Sequence, residues 1–450
     1  MTDTKKLKQI GLDKIAFLVL LIAGLICAKL IVSSRSSFKL SKPLSLDGTG
    51  LSVSIPAGGG FVRTSDGFSY LDNEFRLGCI LQTGRNTAVS VHWRYFILPL
   101  KQTASEKFIA DANSIDGIIE SSQTKQFGQF SFEYARIVAE KKTIVLLCGI
   151  TRLPDGRTLT LEVMQKGRDF NIADKIFNSV IESVSFKAEN PLADGIKFLN
   201  NFKQKNLADI IGKKTEQSYY YIQDFTDKKL GFATDAAGIR PDGKNNSIVA
   251  AGLYFLHSGR IAHAERDFFA GEPNMHTFKW ANSQSDLLIN REVPTSIELD
   301  AEGMITVQKT NNLQNFTLSP SMMPEVLFDA AVEDFLHSDF NSVMIDLILS
   351  DGRIKPAIIK KADPNGYPQL KAAFAAEVKL FDFSAANQTV YLDADGRTLL
   401  SEVRGSFSYR MQRTEKEKLA ADFPQWLEKI EQIEQYLIAN PNDKDKKGKE

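Results

Sequence analysis

The sequence is poor in cysteine, in excess charge and in catalytic signatures. Only three of its 450 residues are cysteines, too few for a disulfide framework or a structural zinc cluster. Its 55 Lys and Arg residues balance 55 Asp and Glu residues, which argues against a protein that coats nucleic acid. Gly-x-Ser-x-Gly, His-Glu-x-x-His and the dinucleotide fingerprint are all missing from the chain. We therefore predict no cofactor, no nucleic-acid partner and no enzymatic activity.

One long apolar run lies near the start of the chain. Residues 15–28 read IAFLVLLIAGLICA, and residues 30–32 extend the run past Lys29. As a helix, residues 15–32 would span about 27 Å, close to the roughly 30 Å hydrocarbon core of a bilayer. This pattern predicts a transmembrane anchor at 15–32 after a cytoplasmic tail at 1–14. The alternative is a cleaved signal peptide, whose basic region would be the lysines between residues 5 and 14.

Basic residues flank the run on both sides, so the positive-inside rule does not decide its orientation. A short N-terminal tail before a large body usually stays in the cytoplasm. We therefore expect a single-pass protein of the cell membrane with its soluble domains outside the cytoplasm, which is the periplasm in a Gram-negative cell. Residues 33–45 are rich in Ser and Lys and are predicted to be a linker.

Short apolar runs of strand composition follow over residues 46–186, with one helical pattern inside them and another at their end. The opening SIPAGGGF (54–61) and the closing FNSVIESVSF (177–186) resemble those of PsbP-like domains. The resemblance implies an α/β/α sandwich around an antiparallel sheet, used for binding or assembly. It implies no particular site residue.

Residues 187–217 contain an amphipathic stretch that predicts a linker helix, and a second β-rich domain is predicted over 218–410. The turn strings PDGK (241–244), SDGR (350–353) and ADGR (394–397) indicate antiparallel hairpins. The segments YYYIQDFTDKKLGF (219–232) and VYLDADGRTLLSEV (390–403) are similar to those of periplasmic carriers such as LolA. That resemblance implies a curved sheet whose concave apolar face holds a lipid or another apolar ligand.

The chain is predicted to close with an amphipathic helix over 411–440 and a disordered, charged tail over 441–450. Six apolar residues, from Leu419 to Leu437, form a stripe along this helix. The stripe either packs on the second domain or forms the surface by which the helix at 415–440 docks a protein partner.

The candidates for a metal site lie in one stretch of the second domain. Alternation along a strand places His263, Glu265 and Asp267 on one face, and His257 would approach across the turn that precedes the strand. Such a set is suited to zinc or manganese. The polar outer face of a hairpin has the same composition, so we predict no metal here.

Cys79 and Cys148 both fall in predicted strands of the first domain. Outside the cytoplasm they would be able to form a disulfide. Buried free thiols are the alternative.

Charge is distributed unevenly along the chain. Residues 1–45 contain 8 basic and 2 acidic residues, whereas residues 218–410 contain 18 basic and 25 acidic residues. The basic part would lie against anionic headgroups, and the acidic part would be held away from them.

Together these patterns predict an α+β protein: an N-terminal transmembrane helix, then two mostly antiparallel β domains with packed helices. The expected function is a membrane-anchored binding or assembly module outside the cytoplasm. The alternatives are a carrier of an apolar ligand in the second domain and a metal-dependent hydrolase that uses His263 and Glu265.

Overall fold

The computed structural model describes residues 20, 22–25, 38–69, 72–83, 86–139, 143–167, 170–206, 217–242, 245–257, 261–310, 312–381 and 387–438. Most of the predicted anchor and both termini therefore lie outside the described residues. Leu20 and residues 22–25 are helical, with Leu20 and Leu25 exposed. Among the described residues, no helix is long and apolar enough to cross a membrane.

The first half of the chain is built around a seven-stranded antiparallel sheet, counted over the described residues. Its strands follow one another in the order β5-β6-β7-β11-β10-β9-β8. They are β5 (Phe61–Ser69), β6 (Glu74–Thr83), β7 (Asn86–Phe96), β8 (Gly117–Phe127), β9 (Phe130–Ala139), β10 (Ile144–Arg152) and β11 (Thr158–Lys166). The shorter elements around them are β1 (Lys39–Leu40), β2 (Leu44–Ser45), β3 (Leu51–Val53), β4 (Pro56–Ala57), β12 (Ser185–Phe186) and the helices α1 (Ala104–Ser114) and α2 (Asn171–Ile181).

The two helices cover opposite faces of this sheet. In α1, Phe108 and Ala112 pack on Ala135 and Ile137 of β9. Thr103 caps α1, since its side chain and that of Glu106 each bond to the other's backbone N–H. In α2, the ring centroid of Phe177 lies 5.0 Å from that of Tyr134, which points to the other face. The first sheet therefore has one helix on each of its faces.

The second half forms a fifteen-stranded sheet, counted over the described residues, in which all neighbouring pairs but one are antiparallel. From one edge to the other, its order is β20-β19-β18-β17-β16-β15-β14-β13-β27-β26-β25-β24-β23-β22-β21. The strands are β13 (Ser218–Gln223), β14 (Lys229–Asp242), β15 (Asn245–Leu256), β16 (Ile261–Gly271), β17 (Phe278–Asp286), β18 (Arg291–Leu299), β19 (Met304–Lys309), β20 (Asn312–Thr317), β21 (Met322–Pro324), β22 (Ser342–Ile348), β23 (Ile354–Lys361), β24 (Phe374–Leu380), β25 (Asn387–Leu392), β26 (Thr398–Arg404) and β27 (Tyr409–Thr414). The helices are α3 (Pro191–Phe202), α4 (Phe328–His337), α5 (Lys416–Asp422) and α6 (Leu427–Ile438), with single 3₁₀ turns at Pro273–Met275, Glu325–Leu327, Pro364–Gly366, Pro368–Leu370 and Pro424–Trp426.

This sheet curls until its two edges approach each other. The edge strand β20 ends at Thr317, and the opposite edge strand β21 begins at Met322. Five Cα steps reach at most about 18 Å, whereas a flat sheet of this many strands would be about 67 Å wide. At the meeting point, Gly352 of the β22–β23 turn lies directly against Val307 of β19. Gly352 has φ +79, so this position requires glycine both for its backbone conformation and for its lack of a side chain.

One hydrophobic core joins the two sheets. The core cluster includes Trp93 and Leu161 of the first sheet together with Met344 and Ile359 of the second. The ring centroids of Phe75 and Phe381 lie 5.2 Å apart across the junction. Because one core serves both sheets, the two predicted domains pack as a single body.

Three predicted segments contain details that the sequence pattern did not predict. Strands β1 and β2 lie within 33–45, which was predicted to be a linker. Helix α3 lies in the predicted linker 187–217, yet it packs on β22, with Gly195 against the backbone of Met344. The C-terminal helix begins only at Lys416, after the strand β27, and it is interrupted at Pro424 because proline disrupts helical hydrogen bonding.

Candidate functional site

The fifteen-stranded sheet has an inner face and an outer face with different side chains. The inner face bears Phe269, Trp280 and Ile297, which belong to the main core together with α4. The outer face bears Phe232 and Leu253, which lie under the C-terminal helices. Successive residues of a strand alternate between the two faces, so β16 contributes to both.

The inner face of β16 carries three of the residues predicted from the sequence. His263 Nε2 lies 3.7 Å from Glu265 Oε1, and the His263 ring stacks on Tyr254 with a centroid distance of 4.9 Å. Asp267 accepts hydrogen bonds from Trp280 Nε1 at 2.8 Å and from Asn282 Nδ2 at 2.6 Å. The carboxylate of Asp267 is thus already engaged by the sheet itself.

Burial changes the ionisation of these inner groups. Desolvation, reinforced by the charges of Asp267, Glu325 and Asp235, raises the pKa of Glu265 to about 7. Desolvation also raises the pKa of Asp267, although its two hydrogen bonds oppose the rise. It lowers the pKa of His263, which favours the neutral imidazole.

Glu265 belongs to a polar chain that links strands β16 and β17 to the turn that follows β22. Gln284 Nε2 donates to Glu265 Oε1 at 3.2 Å and to Ser350 Oγ at 2.9 Å. The backbone N–H of Ser350 in turn contacts Glu325 Oε2 at 3.4 Å. These contacts indicate that Glu265 helps to hold the curled sheet closed.

His257, the fourth candidate, is not brought to the inner group. Its ring lies 4.8 Å from that of Phe255 and 5.4 Å from that of Phe423 in the C-terminal segment. It is therefore on the outer side of the sheet, opposite His263. Within the part of the chain that the structure describes, no group of three or more His, Cys, Asp or Glu residues is placed to hold a metal ion.

Cys79 and Cys148 are free, buried thiols, so the disulfide considered from the sequence does not form. Strands β6 and β10 are separated by β7 and β11, which places the two residues about 14 Å apart. Cys79 also packs in the main core, whereas Cys148 packs under α1 on the other face. Burial raises the pKa of Cys79 to about 12 and that of Cys148 well above its ordinary value.

The apolar stripe of the C-terminal helices is covered by the protein's own sheet. Leu419, Phe423, Ile430 and Ile433 are buried in one cluster with Phe232 and other outer-face residues of β14–β16. The stripe therefore packs on the second sheet, which was one of its two predicted roles. Among residues 416–433 it leaves no exposed apolar stripe on which a partner could dock. The lipid face predicted by the second resemblance is likewise packed, since Phe269 and Trp280 are buried against the protein's own core.

An open groove of about 510 Å³ lies on the outer face, beside Tyr436 of α6. It runs across β16–β19, and its walls include Arg266, Phe268, Ala281, Ser283, Glu292, Pro294 and Tyr436. This volume is within the range of small-molecule sites. We refer to it as the outer groove.

Two residues of opposite charge, Arg266 and Glu292, line the outer groove. The guanidinium carbon of Arg266 lies 5.4 Å from the ring centroid of Tyr436. Glu292 accepts a hydrogen bond from the hydroxyl of Ser283. Arg240 also lies by the Tyr436 ring, but it donates to the backbone carbonyl of Tyr436 at the end of α6.

Sequence reasoning missed the outer groove, although one signal for it was present. Arg266 stands between Glu265 and Asp267, so the alternation that placed those two on the inner face places Arg266 on the outer one. The position of Tyr436 beside it depends on how α6 packs on the sheet. That packing is a long-range contact that the local pattern does not encode.

The junction between the two sheets contains a buried ion pair. Arg157 Nη2 in the turn before β11 donates to Asp346 Oδ2 of β22 at 2.5 Å, and both side chains are almost fully buried. Ser321 Oγ donates to the same carboxylate oxygen at 2.6 Å. Desolvation raises the pKa of Asp346, and the Arg157 charge opposes that rise.

Comparisons with known proteins add little to this picture. No family model matches the chain, and no curated protein matches it. One similar solved structure is a beta-barrel-like protein of the domain of unknown function DUF1849 from Brucella abortus, with a TM-score of 0.33, 9% identity and coverage of 44% of this chain and 95% of that one. Another is the tail fibre of Staphylococcus aureus phage P68, with a TM-score of 0.11, 8% identity and coverage of 83% and 72%. TM-scores this low do not establish a shared fold, and the two family resemblances stay predictions.

Proposed function

We propose that this chain is a non-catalytic binding module held at the membrane, with its two-sheet body outside the cytoplasm, and that the outer groove is its binding site. The observation that carries the proposal is the groove itself: a concave, solvent-open surface with apolar walls and a few polar groups. The inner face is a poorer candidate because its apolar groups are packed and its carboxylates have partners within the sheet.

The rigidity of the body also supports binding. One core and the buried Arg157–Asp346 pair fix the two sheets to each other. A groove on such a scaffold keeps its shape before the ligand arrives, which lowers the entropy cost of binding.

The proposal is tested by filling the groove. Ala281 is exposed on the outer face of β17 and lines the groove, so Ala281→Trp should block it without disturbing the core. The matched control is Lys279→Trp, on the same strand and the same face but outside the groove lining. Both variants and the unmodified protein are screened against a fragment library by ligand-observed NMR.

Fragments should bind the unmodified protein and Lys279→Trp, and Ala281→Trp should abolish their binding. Fragments that bind all three proteins equally, or none of them, would refute the outer groove as the binding site.

The location is tested separately. The apolar run supports attachment to the membrane. If the body lies outside the cytoplasm as proposed, protease added to intact cells, or to cells with a permeabilised outer membrane, should digest it. Digestion only after the cytoplasm is opened would overturn the proposed location.

A further inference from the structure

Arg266 is a charged group in the outer groove without a charged partner. Within the described residues it makes no ion pair, and its Nε atom is buried with no hydrogen-bond acceptor. Its contact is the ring of Tyr436, which stabilises a cation but accepts no conventional hydrogen bond from it. Arg240, by contrast, donates to the end of α6. Because Arg266 lines the open groove and its charge is unpaired among the described residues, an anionic group of a ligand would be its complement.

The rest of the groove restricts the kind of anion. A guanidinium pairs best with a planar group that has two acceptor oxygens, which a carboxylate provides. Glu292 carries the opposite charge in the same groove, so a dianion such as a phosphate monoester would be repelled more than a monoanion. Phe268, Pro294 and the Tyr436 ring supply apolar walls for the body of the ligand.

We infer that the outer groove binds a small organic monocarboxylate with a flat apolar body, whose carboxylate pairs with Arg266 and whose body packs against Phe268, Pro294 and Tyr436. The inference rests on the proposed function and names the ligand class of the same site.

The experiment uses two probes of the same shape and different charge: phenylacetate and its amide, phenylacetamide. Their binding is measured by NMR titration of the full chain in detergent and of the variants Arg266→Gln and Arg353→Gln. Arg353 is the control because it is an exposed arginine outside the groove lining, in the β22–β23 turn.

Phenylacetate should bind the unmodified protein about tenfold or more tightly than phenylacetamide, since a charge-assisted hydrogen bond is lost with the amide. Arg266→Gln should remove this preference, and Arg353→Gln should keep it. Raising the ionic strength should weaken phenylacetate binding only where Arg266 is present.

Two results would overturn the inference. Equal binding of the two probes, or an unchanged preference in Arg266→Gln, would show that Arg266 does not anchor a carboxylate. If neutral fragments still bind and Ala281→Trp still blocks them, the groove remains the binding site and only the ligand class is wrong. If neither probe and no fragment binds, both the ligand class and the proposed function fail.

Discussion

Asp346 is the buried charge on which the contact between the two sheets depends. Its partner Arg157 is also buried, and within the described residues Arg157 Nη1 and Asp346 Oδ1 have no hydrogen-bond partner. A buried pair of this kind adds little net stability, but removing one member leaves the other uncompensated.

Asp346→Asn should therefore lower the free energy of unfolding by about 3–5 kcal/mol, because the Arg157 guanidinium stays buried without its counter-charge. The double variant Arg157→Met, Asp346→Leu should regain most of that loss. The control is Lys379→Met, which breaks the exposed pair with Asp47 and should cost about 1 kcal/mol or less. Urea unfolding measures all three, and a loss in Asp346→Asn no larger than in the control would contradict the argument.

Glu265 makes the stability of the protein depend on pH. Its pKa is raised from 4.5 to about 7 in the folded chain, chiefly by desolvation. Between these two values the folded state keeps a proton that the unfolded state has lost. Stability should therefore fall as the pH rises from about 4.5 to about 7 and stay lower above that range.

Glu265→Gln should remove this fall, because its amide is neutral at every pH. The free energy of unfolding of the variant should equal that of the unmodified protein at pH 4 and exceed it at pH 8 by on the order of 1–2 kcal/mol. The figure is reduced for solvent screening, because 34% of the Glu265 side chain is exposed. Unfolding curves across this range provide the measurement, with the exposed Glu298→Gln as control. A stability difference that does not change with pH would rule out this role for Glu265.

At the scale of elements, the C-terminal segment is an integral layer of the second sheet. Ile430 of α6 is fully buried against the outer face, in one cluster with Phe232 and Leu253. Tyr219 and Lys416 both bond to Glu434, which ties the same helix to β13 and to α5.

Ile430→Ala should lower the free energy of unfolding by about 2–5 kcal/mol, because it leaves a cavity between helix and sheet. The adjacent exposed substitution Glu431→Ala should cost less than about 0.5 kcal/mol. Chemical denaturation compares the two variants. Equal and small effects would mean that α6 is not packed on the sheet and that its apolar stripe is free for a partner.

At the scale of the whole molecule, the curled sheet closes where Gly352 meets Val307. Gly303 is a natural reference for this contact: its φ of +81 is close to the +79 of Gly352, but a Cβ added there would meet nothing within 4 Å. A difference in stability between Gly303→Ala and Gly352→Ala thus reports on the closure and not on the backbone conformation.

Gly303→Ala should cost about 1 kcal/mol from backbone strain alone. Gly352→Ala should cost a further 1–3 kcal/mol or so, because its methyl group collides with Val307 and pushes the two edges apart. Thermal unfolding of both variants checks the difference. Identical losses would indicate that the edges do not meet as described.

Local pattern determined much of this protein. Period-two alternation predicted the mostly antiparallel sheets, and it placed His263, Glu265 and Asp267 on one face of a strand. The strings SDGR and ADGR predicted hairpin turns, which the structure forms with Gly352 and Gly396 at positive φ. These features depend on neighbours a few residues apart, so the sequence by itself specifies them.

Tertiary structure decided the rest. Whether Cys79 reaches Cys148 depends on the strand order, which inserts β7 and β11 between them. Arg157 contacts Asp346 although the two are 189 residues apart in the chain. Arg266 contacts Tyr436 only because α6 packs on the outer face. Such contacts follow from how the sheets curl and pack, since burial and pairing over long separations are settled by the whole chain and not by local periodicity.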